Sequence, residues 1–466
     1  MGARAPHLTV EPQRALLVAL DLPNAPWDVE TSLAELAALA ETAGLTVVDH
    51  LTQRAAAPHQ SHYVGKGKLA ELGDAVAALH CDVVVFDDEL TPRVQQNLEQ
   101  ELDVRVIDRT LLILDIFAQR ARTHEGRAQV ELAQYQYLLP RLAGRGTALS
   151  RLGGGIGTRG PGETKLEMDR RRIRARVAQL RREIDEIRRA RAGHRQLRRR
   201  RALPLVALVG YTNVGKSTLL NALTRSEAYA ANVLFATLDP LTRRLRLPHG
   251  QEVLLSDTVG FIAKLPTTVV AAFRATLEEL DEADLLLHVV DLTSPHAAEQ
   301  NAIVHDVLDE LELGDKQVLT VINKIDALVP VDTTQPPDPE TVGLPPSPDV
   351  VLVSATRGWG LDELLERIES VLSAEQPVVE VAIPYAESRL VNLFRRRGRV
   401  ISERYTEEGT VLRGQMPRAI ERAFAPYLRR KRRTSARDGG SRSDGAADGA
   451  PRPATARRAP KLEELD

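Results

Sequence analysis

Hydrophobic residues near the start of the chain come in short runs separated by longer amphipathic stretches. The runs are rich in β-branched residues and read ALLVAL at 15–20, LTVVDHL at 45–51, DVVVFDD at 82–88 and DVRVID at 103–108. Between them lie stretches such as TSLAELAALAET, whose leucines and alanines recur at helical spacing. Strands that alternate with helices are typical of a parallel α/β sheet. We therefore predict a small α/β domain over residues 1–110.

The residues from 111 to 201 follow a different period. Apolar or small side chains step by three and four along this segment, at Leu114, Phe117, Ala121, Ala128, Tyr135, Leu138 and Leu142 and again at Ile173, Val177, Leu180, Ile184 and Ile187. This period predicts a long antiparallel helical hairpin. The connection, AGRGTALSRLGGGIGTRGPGETK, is rich in glycine and lacks core residues, which predicts a mobile tip.

From residue 202 the alternation of strands and helices returns. The runs LVALVG, EVLLSD, LLLHVVD, QVLTVIN and VVLVSA predict a second, doubly wound α/β unit over residues 202–375. A smaller α+β domain follows over 376–428. Residues 429–466 are dominated by Arg, Gly, Ala, Ser and Pro, and this composition predicts a disordered tail. The fold class that we predict is therefore α/β, with a helical hairpin and a small C-terminal domain.

The charge of the chain is unevenly distributed. The formal net charge of the 466 residues is only −2, but positions 170–201 hold fifteen arginines against three acidic residues. Such a basic element favours contact with a polyanion, although a well-solvated helix has the same composition.

Cysteine content and hydropathy restrict the class of protein further. Cys81 is the only cysteine, which excludes an internal disulfide framework and a cysteine-based zinc cluster. No apolar run is long enough to span a bilayer, and the first run lacks the basic flank of a signal peptide. We expect a cytoplasmic protein without a membrane span, and a monomer.

Candidate chemistry begins with GYTNVGKST at 210–218, between an apolar run and a helical pattern. It matches the phosphate-loop pattern G-x-x-x-x-G-K-[ST], in which glycines let backbone N–H groups turn toward phosphate oxygens. Lys216 would place its charge on the β- and γ-phosphates of a nucleotide, and Ser217 would offer its hydroxyl to Mg²⁺.

Two further segments extend this pattern. DTVG at 257–260 ends a strand-like run, so Asp257 would position Mg²⁺ through water and the Gly260 N–H would lie near the γ-phosphate. LFATLDP at 234–240 supplies Thr237 as the candidate switch threonine that binds Mg²⁺ while the γ-phosphate is present. We predict Lys216, Thr237 and Gly260 as the residues that promote hydrolysis.

The identity of the base follows from NKID at 323–326. The Asp326 carboxylate can accept hydrogen bonds from N1–H and the 2-amino group of guanine, a donor pair that adenine lacks, so GTP is preferred over ATP. Asn323 and Lys324 would brace the phosphate loop and the base, and SAT at 354–356 would cover the base. The complete predicted nucleotide site is Gly210, Tyr211, Thr212, Asn213, Val214, Gly215, Lys216, Ser217, Thr218, Phe235, Ala236, Thr237, Leu238, Asp239, Asp257, Thr258, Val259, Gly260, Asn323, Lys324, Ile325, Asp326, Ser354, Ala355 and Thr356.

Two positions concern the rate of hydrolysis. Phe261 follows DTVG where some GTPases carry a water-orienting glutamine, so intrinsic hydrolysis should be slow and should need a partner. Asn213 lies within the phosphate loop, and we hypothesise that it helps to coordinate K⁺ against the phosphates.

These motifs, preceded by GGGIGTRGPGETKLEMDRRRIR, closely resemble the HflX family of GTPases over residues 14–428. The glycine-rich tip carries the most specific part of the likeness, since small GTPases in general lack it. The resemblance implies an N-terminal domain with a helical hairpin, a central G domain and a small C-terminal domain. It also implies binding to the large ribosomal subunit and the 70S ribosome, hydrolysis stimulated by ribosomes, and separation of stalled or stressed ribosomes into subunits.

A charged arm with a glycine tip suits binding within ribosomal RNA, because its arginines can neutralise phosphates. The RNA contacts that we predict are Arg159, Lys165, Arg170, Arg171 and Arg172.

Three other functions stay open. A GTPase that serves RNA modification would carry a reactive cysteine near its C-terminus, and this chain has none there. A static RNA-binding scaffold would not need the switch residue Thr237. A large-subunit assembly or checkpoint GTPase would hydrolyse GTP without separating subunits.

Overall fold

The computed structural model describes residues 12–23, 27–142, 165–201, 203–225, 234–235, 237–265, 280–330, 332–343, 347–374 and 376–429. The predictions for the glycine-rich tip with Arg159, for Ala236 and for the tail beyond residue 429 lie outside these ranges, as does the side chain of Lys165.

A four-stranded parallel sheet forms the N-terminal part of the chain. Its elements are β1 (Arg14–Asp21), α1 (Val29–Thr42), β2 (Thr46–Arg54), α2 (Lys66–Leu79), β3 (Val83–Phe86), α3 (Pro92–Leu102) and β4 (Arg105–Asp108). The strand order is β2-β1-β3-β4. The two central strands are buried along almost their whole length, which explains their uninterrupted Val and Leu runs.

Two helices, rather than one, follow this sheet before the predicted tip. α4 (Arg109–Arg120) begins at Asp108, whose carboxylate caps the Leu111 N–H at 2.9 Å, and ends where Ala121 adopts an extended backbone. α5 (His124–Arg141) begins at Thr123. We predicted the hairpin from residue 111. The break at Ala121 instead leaves α4 packed in the core of the molecule, and the long antiparallel pair starts at α5.

α5 pairs with α6 (Lys165–Arg201). Ala128, Leu180 and Ile184 form the buried contact between the two helices. Arg176 and Glu131 make a bidentate ion pair, with N···O distances of 2.8 and 2.7 Å. The pairing of apolar positions at three- and four-residue spacing therefore holds the two helices together, as the period predicts.

The G domain is a doubly wound sheet. Its elements are β5 (Leu205–Gly210), α7 (Lys216–Thr224), β6 (Leu241–Arg246), β7 (Glu252–Asp257), β8 (Leu285–Asp291), α8 (Ala297–Glu310), β9 (Val318–Asn323), β10 (Val350–Leu352) and α9 (Leu361–Ser373). The strand order is β10-β9-β8-β5-β7-β6, parallel except for β6. A continuous hydrophobic core joins this sheet to α1 and α4 of the N-terminal part. The predicted fold class is confirmed.

The C-terminal domain contains a three-stranded antiparallel sheet. Its elements are β11 (Val378–Pro384), α10 (Ser388–Arg397), β12 (Arg399–Thr406), β13 (Gly409–Gln415) and α11 (Arg418–Phe424). The strand order is β11-β13-β12. Its core centres on the rings of Phe394 and Phe424, whose centroids lie 5.5 Å apart. Within the described parts of the chain, no helix is long and apolar enough to cross a membrane.

Candidate nucleotide-binding site

The phosphate loop joins the end of β5 to the start of α7. It therefore lies at the positive end of a helix dipole, where backbone N–H groups favour an anion. Gly215 has a φ of 94°, a conformation that favours glycine, and a Cβ atom there would collide with the Asn323 amide. That amide donates to the Val214 carbonyl oxygen at 2.9 Å. Asn323 thus ties the loop after β9 to the phosphate loop.

Lys216 is buried beneath the loop, with 6% of its surface exposed. Its Nζ donates to the carbonyl oxygens of Gly210 and Tyr211 at 3.1 and 2.6 Å. Burial lowers the pKa of Lys216 to about 8, although the nearby Asp257 carboxylate opposes the shift. Burial therefore disfavours the charged ammonium form of Lys216. A polyphosphate bound on the loop would favour that form again.

Three oxygen atoms meet at the start of α7. The Asp257 carboxylate accepts hydrogen bonds from Ser217 Oγ at 2.6 Å and from Thr237 Oγ1 at 2.8 Å, and the two hydroxyls lie 2.9 Å apart. The other oxygen of Asp257 is buried without a hydrogen-bond partner among the described residues. Hard oxygen donors with one uncompensated carboxylate oxygen fit Mg²⁺, so these residues suit the ion that a P-loop site uses.

Asp257 is fully buried at the end of β7. Burial raises the pKa of its carboxyl above the ordinary value, although Lys216 and the two hydroxyls oppose this shift. A divalent cation near Asp257 would reverse the effect of burial and favour the carboxylate.

The residues predicted around guanine also lie together. Asp326 accepts hydrogen bonds from the Ser354 hydroxyl at 2.6 Å and from the Thr356 hydroxyl at 3.3 Å. The Ala355 N–H donates to Asn323 Oδ1 at 3.2 Å. The NKID and SAT segments therefore form one pocket wall, with the Asp326 carboxylate held in place by hydroxyl groups.

Sequence reasoning missed Asp291 at this pocket. Its carboxylate forms an ion pair of 2.7 Å with Lys324 Nζ, where Lys324 has a left-handed φ of 62°. The available signal was its position as the last residue of β8, at the same sheet edge as Asp257 and Asn323.

Gly260 lies close against the phosphate loop. A Cβ atom at this residue would lie 2.9 Å from Thr212 Cα and 3.0 Å from Lys216 Nζ, so only glycine allows this approach to the phosphate loop. The next residue, Phe261, is buried, and its backbone pairs with the loop through hydrogen bonds to Gly210 O and from Thr212 N, at 3.1 and 2.8 Å. Phe261 therefore anchors the loop and offers no group that could orient water.

Several other predicted nucleotide contacts have side chains that are directed elsewhere. Leu238, Val259 and Ile325 are core residues, and Thr258 donates its hydroxyl to Leu208 O at 2.6 Å. These residues can therefore contact a nucleotide only through their backbone atoms.

Three predicted nucleotide contacts face the N-terminal part of the chain instead. The Tyr211 hydroxyl donates to Glu35 and accepts from the Ala263 N–H at 2.8 Å. The ring of Phe235 packs edge-on against Phe117, with centroids 4.6 Å apart. The carboxylate of Asp239 binds the start of α5 rather than the phosphate loop.

A buried ion cluster between the N-terminal part and the G domain also escaped sequence reasoning. Arg109 is 1% exposed and pairs with Asp87 at 2.7 Å and with Glu35 at 2.6 Å. It also donates to the carbonyl oxygen of Ala263 at 3.2 Å. Lys264 pairs with Asp87 and, at 2.6 Å, with Asp88. Burial disfavours the Asp87 carboxylate, yet Arg109 and Lys264 outweigh burial and hold its pKa below the ordinary value.

The predicted RNA contacts that the structure describes lie on the second turn of α6. Arg171 and Arg172 are exposed, and Arg170 is half-buried. They are on the hairpin and separate from the nucleotide pocket at the strand ends of the G domain.

A phosphate loop with Mg²⁺-suited oxygens on one side and guanine-type residues on the other defines a P-loop GTPase. Family profiles described as GTP-binding GTPase N-terminal, GTP-binding GTPase Middle Region and 50S ribosome-binding GTPase match residues 30–118, 120–198 and 205–324. GTPase HflX of Caldanaerobacter subterraneus subsp. tengcongensis is 48% identical over 91% of this chain and 95% of its own. The chain belongs to the HflX family of GTPases.

A second sequence relative agrees with this assignment. GTPase HflX of Escherichia coli is 44% identical to this chain, covering 83% of it and 89% of the relative. The crystal structure of a GTP-binding protein from Sulfolobus solfataricus in complex with GDP is 24% identical, covers 78% of this chain and 99% of its own, and has a TM-score of 0.40. The family assignment rests on the sequence relatives. The binding and hydrolysis of GTP follow from that assignment.

Proposed function

We propose that this GTPase binds the large ribosomal subunit and the 70S ribosome and separates stalled or stressed ribosomes into subunits. The observation that carries the proposal is that one short segment, residues 237–239, contacts both the Mg²⁺-suited oxygens and the base of the helical hairpin. The matches to HflX relatives and to a profile described as 50S ribosome-binding GTPase support the choice of partner.

The coupling follows from two contacts. Thr237 bonds to Asp257 in the nucleotide site, and two residues later Asp239 accepts hydrogen bonds from Arg122 N, Thr123 N and Thr123 Oγ1 at 2.7, 2.9 and 2.5 Å. Loss of the γ-phosphate would release Thr237, and the displacement would reach the hairpin without an intervening element.

A second route connects the segment after DTVG to the N-terminal part. Arg109 binds the Ala263 carbonyl, and Lys264 pairs with Asp87 and Asp88. Ala263 and Lys264 lie three and four residues after Gly260. A shift of Gly260 toward a γ-phosphate would therefore act on the buried ion cluster. Packed ionic clusters of this kind have few intermediate arrangements, so they favour a two-state response.

The hairpin would be the element that enters ribosomal RNA. Its tip with Arg159, followed by Lys165, Arg170, Arg171 and Arg172, supplies cations for phosphates. In this proposal the chain acts in the cytoplasm as a monomer, with the domain limits expected from its sequence except that the hairpin begins at α5.

Each of the predicted site residues would have its own role in hydrolysis. Lys216 would neutralise the β- and γ-phosphates, and the Gly260 N–H would bind the γ-phosphate. Ser217, Thr237 and, through water, Asp257 would hold Mg²⁺, which supplies charge neutralisation at the phosphates. Phe261 offers no proton acceptor, so we propose slow intrinsic turnover that the ribosome stimulates.

We further propose that Asn213 places K⁺ near the phosphates. Asn213 is exposed on the phosphate loop and adopts a left-handed φ of 63°. Turnover in KCl and in NaCl at equal ionic strength tests this proposal, since equal rates would remove K⁺ from the site.

One experiment tests the main proposal. GTP turnover and subunit separation are followed together on purified 70S ribosomes, with Lys216→Ala as the inactive control. Turnover that accompanies separation supports the proposal, and both signals are expected to be lost in the control. Turnover without separation would favour an assembly or checkpoint GTPase, and nucleotide-independent binding to large subunits would favour a static scaffold.

A further inference from the structure

A cleft with a volume of about 960 Å³ separates the G domain from the C-terminal domain. Its walls are the end of α7, β6 with the turn that follows it, the start of α9, and Arg395, Val400 and Glu403 of the C-terminal domain. In the sheet, Arg246 of β6 pairs with Glu252 at the start of β7, whereas Asp257 ends that strand. The cleft therefore lies at the amino ends of the parallel strands, whereas the nucleotide site lies at their carboxyl ends.

Four arginines line this cleft, which we call the arginine cleft: Arg225, Arg244, Arg246 and Arg395. Arg395 is held by Glu403 at 2.5 Å. The other three are exposed and form no ion pair with any residue that the structure describes. Two carboxylates, of Asp362 and Glu403, also line the walls. The cleft thus keeps an excess of positive charge that its own walls do not compensate.

The arginines on β6 have a regular spacing. Arg244 and Arg246 are exposed on either side of the buried Leu245, so they project from the same face of an edge strand. Alternate residues of a strand lie roughly 6.8 Å apart. That separation lets two guanidinium groups contact successive phosphates of one nucleic acid strand.

Two exposed tyrosines lie on the C-terminal domain, and one of them contacts a residue of the cleft. Tyr405 is 69% exposed, and its hydroxyl accepts a hydrogen bond of 3.3 Å from the cleft residue Arg395. Tyr385 is 55% exposed and donates to the Thr406 carbonyl at 2.8 Å. Much of each side chain faces solvent, which leaves ring surface for a base to stack on.

We propose that the arginine cleft binds an unpaired RNA strand, whose phosphates contact Arg244 and Arg246 and whose bases stack on Tyr405 and Tyr385. The proposal rests on the proposed function, because it identifies a second contact with ribosomal RNA, remote from the hairpin. An acidic protein segment would satisfy the arginines, but it would have no use for the exposed rings. The combination of cations and aromatic faces is the chemistry of single-stranded nucleic acid recognition.

A matched pair of variants tests the phosphate contacts. Arg244→Glu and Arg243→Glu change the same charge at adjacent exposed positions of β6, but only Arg244 lines the cleft. Binding of the full chain to a fluorescein-labelled, unstructured RNA oligonucleotide is measured by anisotropy at several salt concentrations. We expect Arg244→Glu to weaken binding by about threefold to tenfold and to lower the salt slope by about one, with Arg243→Glu near wild type. Equal effects of the two variants would overturn the proposal.

Stacking is tested at Tyr405. Tyr405→Ala should weaken binding to the oligonucleotide, whereas Tyr405→Phe, which keeps the ring and loses the hydroxyl, should retain it. Equal losses in both variants would contradict stacking. GTP turnover without ribosomes should be the same in every variant, because none of these residues contacts the nucleotide site. If Arg244→Glu fails to fold, Arg246→Glu replaces it, because Arg246 lines the same cleft.

The chemical class of the partner is tested on the ribosome. A photoreactive benzoylphenylalanine in place of the cleft residue Val400 is irradiated with large subunits. Crosslinks to RNA support the proposal, and crosslinks to an acidic ribosomal protein alone would overturn it. If the wild-type chain does not bind large subunits, the proposed function fails, while the oligonucleotide comparison still decides the cleft.

Discussion

Asp239 accepts a hydrogen bond of 2.5 Å from the hydroxyl of Thr123, although 116 residues separate the two. Thr123 already caps α5 by accepting from the Gly126 N–H at 3.0 Å. Asp239 adds a second cap from outside the helix, since it also accepts from the N–H groups of Arg122 and Thr123. A carboxylate from the switch segment thus completes the N-terminus of the hairpin helix, where the helix dipole favours negative charge.

The first prediction removes this cap. Asp239→Ala should cost about 1 kcal/mol of the free energy of unfolding, the usual effect of losing an N-cap. More importantly, large-subunit affinities of the GTP-loaded and GDP-loaded chain should converge, because Thr237 would no longer be linked to α5. Co-sedimentation in both nucleotide states measures this, with the exposed Asp315→Ala as the matched control. A variant that keeps the wild-type ratio of affinities would show that the cap carries no signal.

The second prediction concerns the buried ion cluster. Arg109→Met should lower the free energy of unfolding by roughly 3–5 kcal/mol, because Asp87 and Glu35 would lose a buried partner while they stay charged. Lys264→Ala should cost less, since Arg109 still pairs with Asp87 and the Lys264 side chain is 25% exposed. Urea unfolding of both variants measures the difference. Similar losses would mean that the two cations contribute equally.

Local spacing made most of the nucleotide site predictable. GYTNVGKST, DTVG and NKID each follow an apolar strand, and parallel strands bring their carboxyl ends to one edge. The ion cluster could not be predicted in this way. Arg109 and Asp87 are 22 residues apart, and Lys264 is 177 residues from Asp87, so no periodicity relates them.

The start of the hairpin was hidden for another reason. The apolar period continues from Leu114 to Ala121 and beyond, but it cannot reveal a backbone that turns to an extended ψ of 112° at Ala121. Thr123 is the one local sign of a new helix, since it is a favoured N-cap residue. Contacts between distant segments, such as Phe117 with Phe235, decide which helix belongs to the core.

The third prediction concerns stability in mild acid. His288 is buried on β8 beside His305, and burial lowers its pKa to about 3. Below about pH 6.5 the unfolded chain binds a proton at this position that the folded chain does not, so stability falls as the pH falls. The loss should reach roughly 2 kcal/mol at about pH 5.

Urea unfolding between neutral and mildly acidic pH measures this loss. His288→Leu should flatten the pH dependence, whereas the exposed His50→Gln should leave it unchanged. A wild-type slope in His288→Leu would assign the acid sensitivity to other groups.

The last prediction follows from Lys216, whose pKa burial lowers to about 8. Between about 8 and the unfolded value of about 10.5, the unfolded chain binds more protons, so this lysine makes the free protein more stable as the pH rises. The affinity for nucleotide should depend on pH in the opposite direction, because phosphates favour the ammonium form of Lys216 and should raise its pKa. The chain should therefore take up protons when it binds GDP, and its affinity should fall as the pH rises through about 8.

Calorimetry of GDP binding at about pH 7 and about pH 8.5, in buffers of different ionisation enthalpy, counts these protons. Uptake should be near zero at the lower pH and more than half a proton at the higher one. Lys216→Arg keeps a positive charge that is not lost in this range, so its binding should show no uptake that depends on Lys216. Equal proton uptake by wild type and Lys216→Arg at the higher pH would mean that Lys216 stays charged in the free protein, and that the loop carbonyls compensate its burial without a phosphate.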